Sequence, residues 1–162
     1  MTILDISTAL DPALLESVEP DQLFWESFYG DGQCSWFAAA QMLARVGKDP
    51  KLIYLILHSE RSTNRPHPFA QFTGGRNGQN LLCEIGINDR VGIVSPANAG
   101  YGRMVQVSDP EPWALSFADE CVLLPPSEAL GVAFDWITSG ALSVNYRLRP
   151  IEDYELPQPI RR

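Results

Sequence analysis

Cys34 is the residue of this sequence best placed to act as a nucleophile. It follows the segment Gly30-Asp31-Gly32-Gln33 and opens an apolar run in which Cys34, Phe37, Ala38, Met42 and Val46 fall near one helical face, with Gly47 as the stop. A thiol attacks as its thiolate, and a helix N-terminus favours that form through its positive dipole end and its free backbone N–H groups. The same groups, at Gln33 and Cys34, could hold the oxyanion of a tetrahedral intermediate. Gly30 and Gly32 read as a turn that lets a substrate backbone come close. Asp31 either lines that site or is an ordinary turn aspartate. Thiol chemistry also needs an imidazole as base and later acid, and the chain has two, His58 and His67. His58, near the end of an apolar stretch, reads as a partly buried ring or a helix C-terminal dipole partner. His67, between Pro66 and Pro68, reads as a loop histidine unless the fold returns it to the thiol.

The stretch around Cys34 resembles three families of thiol enzymes. Gly30-Asp31-Gly32-Gln33-Cys34, with Ala38 and Leu43 beyond, is similar to the Asp-Gly-Xaa-Cys turn of OTU-type deubiquitinases. Gly32-Gln33-Cys34 followed by Phe37-Ala38-Ala39 resembles the active-site stretch of transglutaminases. Cys34, Ala38, Leu43 and Gly47 match the spacing of the leader-peptide peptidases of bacteriocin exporters, whose strand ending in Asp-Pro is similar to Val105-Gln106-Val107-Ser108-Asp109-Pro110. The resemblance implies a papain-like frame, a nucleophile helix packed on a sheet. It covers about a dozen residues, and no histidine follows position 67 where the OTU pattern has one. The transglutaminase-like pattern alone places His67, entering a strand at residues 68–72, as the base; Asp89 is then the nearest acid to orient it.

The elements that must position these residues follow from pattern. Asp11-Pro12 starts a short helix over residues 13–18. Residues 21–29 are aromatic-rich and either helical or extended. A helix spans 34–46, and Asp49-Pro50 starts another to about residue 59. Residues 60–80 form a long polar loop holding one strand at 69–72, and 81–87 is helix or strand. Strands follow at 90–94, 103–108 and 120–124. Ser127 caps a helix to residue 139, ended by Gly140, and 141–148 alternates as a last strand before an extended tail from 149 to 162. Helices first and strands after predict an α+β fold with a mainly antiparallel sheet, in one domain over 1–148.

Bulk properties exclude several functions. Twenty acidic residues against twelve basic ones give a net charge of −8, a field that repels phosphate backbones, so no nucleic acid is expected. The first 20 residues lack the basic and apolar regions of a signal peptide, and the run at 52–57 is too short to span a bilayer, so a cytoplasmic protein off the membrane is expected. Cys34, Cys83 and Cys121 lie far apart without zinc spacing, and the glycine-rich stretch 73–78 has no phosphate-loop context, so neither metal nor cofactor is expected. Two functions fit. One is a thiol hydrolase or acyl-transfer enzyme acting on a peptide, isopeptide or amide bond of a peptide or protein substrate. The other is a non-catalytic acidic binding protein, a pseudoenzyme or an inhibitor of the immunity-protein kind, that docks on a cationic partner.

Overall fold

The computed structural model describes residues 23–59, 68–87, 90–109 and 116–150. Within them the chain forms β1 (Phe24–Ser27), β2 (Gly30–Gln33), α1 (Trp36–Leu43), β3 (Leu55–His58), β4 (Pro68–Gly74), β5 (Leu81–Ile87) and β6 (Arg90–Pro96). After these come β7 (Met104–Gln106), β8 (Phe117–Asp119), α2 (Pro126–Ser139) and β9 (Tyr146–Pro150). Seven strands make one sheet in the order β2-β1-β3-β4-β5-β6-β9, every neighbouring pair antiparallel, and β7 and β8 pair as a second, smaller sheet. The class is α+β. Neither helix is long and apolar enough to cross a membrane.

One face of the large sheet carries the helices. Leu55 and Leu57 of β3, Ala70 and Phe72 of β4, Cys83 and Ile85 of β5 and Val94 of β6 meet Trp36, Ala39 and Leu43 of α1 and Ala129, Leu130 and Ala133 of α2 in one core. In α2 residues 129–133 are all buried, as are Asp135 and Ile137, and Gly140 ends it in the left-handed region. The Trp36 and Phe134 rings lie 5.0 Å apart and join the two helices. On the opposite face the small sheet covers the β5–β6 end, where Val107, Ala118 and Val122 pack on Leu82 and Ile93. Arg149 closes that end. Its guanidinium donates to the carbonyls of Ala99 and Gly100 at 3.0 and 2.7 Å and lies 3.9 Å from the Asp119 carboxylate.

Several expected elements differ. Residues 50–59 are not a helix: after a turn, Leu55–His58 is a strand with alternating burial. A helix would set positions 55 and 57 about 200° apart, whereas a strand puts both on the core face at 0 % exposure. Burying two leucines contributes about 1.5–3 kcal/mol each, more than the ~1 kcal/mol of a good cap. Asp49 accepts from the Lys51 N–H at 2.9 Å and closes a turn instead. Residues 120–124 are not a strand either. The Asp119 carboxylate accepts from the Cys121 N–H and caps a 3-10 turn at Glu120–Val122, and the strand lies before it, at Phe117–Asp119. The last strand starts later, at Tyr146, and includes Arg149 and Pro150. Residues 81–87, open between helix and strand, are strand β5. The helix expected at 13–18 and the tail from 151 lie outside the described residues.

Candidate functional site

Gly30-Asp31-Gly32 is not a turn. The reversal lies one step earlier, at Phe28-Tyr29, which join β1 to β2 with Ser27 opposite Gly30. The glycines serve the side chain of Trp25. A Cβ on Gly30 would stand 3.3 Å from the Trp25 Cη2, and one on Gly32 would stand 3.2 Å from its Nε1, so the indole lies along the space the two missing side chains leave. Phe28 and Tyr29 are exposed at the hairpin tip, ring centroids 4.9 Å apart and edge to face.

The helix that follows starts two residues beyond Cys34, at Trp36. Ser35 is its N-cap, with Oγ accepting from the Ala38 N–H at 3.1 Å. The Cys34 N–H continues the β1–β2 ladder and donates to the Leu23 carbonyl at 3.0 Å, so it does not point free toward an oxyanion. The Cys34 side chain belongs to the core and is 8 % exposed. Burial pushes its thiol up to about 12, which leaves about one thiolate in 10⁵ at pH 7. Gln33 lies exposed in β2 and Gly32 beside it. His67 and Asp89 lie outside the described residues. His58, the other histidine, is half-buried in β3 with its ring stacked on Phe24, centroids 5.7 Å apart.

A different set of residues does gather. Cross-strand partners share a face of a sheet, and the register puts Asp31, Glu26, Ile56, Gln71, Glu84, Ile93 and Arg149 in one row across all seven strands. That row lies on the face away from the helices. At its β2–β1–β3 end the small sheet gives no cover, and Phe24, Glu26, Asp31 and His58 on this face, with Trp25 and Gly32 from the helix-bearing side, line an open cleft of about 320 Å³. Glu26 and Asp31 are direct partners across β1 and β2, both exposed. Like charges set opposite each other destabilise a ladder, and neither has an ion-pair partner among the described residues. The field of Glu26 reaches Tyr54, whose phenol is pushed up first by burial and then by that carboxylate. Further along the row, Glu84 is buried and one of its carboxylate oxygens has no partner among the described residues. Burial pushes its carboxyl up to about 7.

The reading of the sequence named Asp31 and missed Glu26 and Glu84. Glu84 had a local signal, one acid in the apolar strand Leu81–Ile87. Glu26 had none, because its place opposite Asp31 depends on where the hairpin turns. Among the described residues no three of the histidines, cysteines and carboxylates gather to hold a metal. Among the described residues the arrangement offers a cation two carboxylates without an ion-pair partner, with aromatic surface beside them, and Cys34 is a buried, un-ionised thiol. Comparison with family models, curated proteins and solved structures finds no match to this chain.

Proposed function

We propose that the protein is a non-catalytic binding protein, an acidic inhibitor of the immunity-protein kind, that docks the β2–β1–β3 end of its open sheet face on a cationic partner protein. One observation carries this: Glu26 and Asp31 are held directly opposite each other, exposed and without a described cation, in a chain of net charge −8. That arrangement weakens the hairpin and gains only when a positive group arrives between the carboxylates. Phe28 and Tyr29 beside them supply the aromatic surface that interfaces favour. In affinity capture from source cells, the wild type should retain a basic protein and release it in about 1 M NaCl, where the Debye length is about 3 Å. The double reversal Glu26→Lys/Asp31→Lys should bind it at least about a hundredfold more weakly, roughly 3 kcal/mol. Its melting temperature should be no lower than the wild type's. Equal capture by the reversed variant, or capture of nothing, ends this reading.

A papain-like thiol hydrolase remains the second reading, supported by a cysteine set just before a capped helix that packs on an antiparallel sheet. The buried, un-ionised thiol weighs against it and fits a frame kept without its chemistry. With a disulfide reagent at pH 8, native wild type and Cys34→Ala should react at the same rate and to the same extent. One extra thiol should appear in the wild type only on adding denaturant. A fast additional thiol in the native wild type would restore Cys34 as a nucleophile.

A further inference from the structure

The open edge of the large sheet extends the docking reading, on which this inference rests. β2 is the edge strand, and its outer side meets no other strand among the described residues. The bond from the Cys34 N–H to the Leu23 carbonyl sets the phase of the ladder. In an antiparallel pair, hydrogen-bonded and non-bonded partners alternate. Cys34/Leu23 is bonded, so Gly32/Trp25 and Gly30/Ser27 are bonded, and Gln33/Phe24 and Asp31/Glu26 are not. The N–H and C=O groups of Asp31 and Gln33 therefore point outward from the sheet.

Natural proteins protect such edges with short strands, charged side chains, above all lysine, proline or a bulge. Gly30–Gln33 is four residues long and has no lysine, proline or bulge. Its one charge is Asp31, with Glu26 next to it on the same face. On the helix-bearing face, Gly30 and Gly32 leave the Trp25 indole uncovered by any side chain of β2. A second copy of the chain is disfavoured as the occupant, because each carries a charge of −8.

We infer that β2 accepts an extended basic segment of the partner protein as an eighth strand. The incoming residue that bonds Asp31 places its side chain on the acidic face. A lysine or arginine there meets Asp31 and Glu26. The adjacent residue points to the other face, where an apolar side chain fills the space beside Gly32 and covers Trp25. The recognised pattern is an alternation of cationic and apolar residues, read by main-chain bonds to Asp31 and Gln33.

Fluorescein-labelled acetyl-(Lys-Val)₄-amide tests this against the full chain. Anisotropy should report binding, and (Glu-Val)₄ should not bind. Peptide that is N-methylated at every second residue keeps its charge but loses one hydrogen-bonding edge, and should bind at least tenfold more weakly. Asp31→Pro, which removes an outward N–H, should weaken binding as much. Amide exchange at Asp31 and Gln33 should slow on saturation. Absence of binding overturns the inference, and so does equal affinity for the N-methylated peptide or unprotected amides at 31 and 33. If binding is lost in Glu26→Lys/Asp31→Lys yet unaffected by N-methylation, strand addition falls while charge-driven docking stands.

Discussion

Gly47→Ala is expected to remove most of the folded population, whereas Gly78→Ala should be mild. Both glycines sit in the left-handed region, φ +76° and +79°, so an alanine costs about 1–2 kcal/mol at either from backbone strain alone. Their surroundings differ. Gly47 ends the turn after α1, its N–H donating to the Leu52 carbonyl at 2.8 Å. There the backbone crosses the end of β4, and a Cβ on Gly47 would overlap the Gly74 carbonyl oxygen and stand 2.8 Å from its carbon. Gly75 meets the Val46 carbonyl in the same way. Backbone cannot turn aside as a long side chain can, so the overlap adds about 3 kcal/mol more. Together these approach the roughly 5–15 kcal/mol that holds a domain folded. A Cβ on Gly78 meets nothing within 4 Å. Urea midpoints of the two variants check this. A Gly47→Ala midpoint within error of Gly78→Ala would mean that the crossing is not tight.

The same crossing marks what was legible beforehand. Gly140 could be read as a helix stop because a glycine after an apolar periodic run has few other uses; Gly47 also has positive φ, but the helix before it ends earlier, at Leu43, and Gly47 closes the turn that follows. Strand 90–94 and a helix ending at Ser139 were expected and are present, but Ser127 is not the cap: the helix starts at Pro126, after Pro125, with no side-chain cap. Residues 52–57 did not, since Leu-Ile-Tyr-Leu-Ile-Leu is apolar at every position and fits either period; its pairing with both β1 and β4 decided for strand. Gly30 and Gly32 were misread for a physical reason as well. Glycine makes room in two ways, for a backbone turn or for a neighbour's side chain, and only the folded hairpin reveals the Trp25 ring. The helix was expected to open at Cys34 and instead starts two residues later, at Trp36, with Ser35 as its cap. That shift turns a residue at the mouth of a helix dipole into one inside the core.

Glu84 provides the other large effect, and its sign runs against the usual acid denaturation. Its carboxyl rises from 4.5 to about 7 on folding, through burial, with Gln71 and Ile93 as its cross-strand neighbours. Below pH 4.5 the group is protonated in both states and costs nothing. Between pH 4.5 and 7 the unfolded chain releases the proton while the folded chain keeps it, so stability falls as pH rises. Above pH 7 both states are ionised and the loss is complete, about 3 kcal/mol for a shift of this size. Glu84→Gln removes the titration and nearly preserves the shape. It should match the wild type near pH 4.5 and exceed it by up to about 3 kcal/mol at pH 8, roughly 6–12 °C in melting temperature for a chain of this length. Comparing the two proteins across pH cancels every other titrating group. A difference that stays constant from pH 4.5 to 8 would show that Glu84 titrates alike in the folded and unfolded chain. It would also leave the acidic row without its buried member.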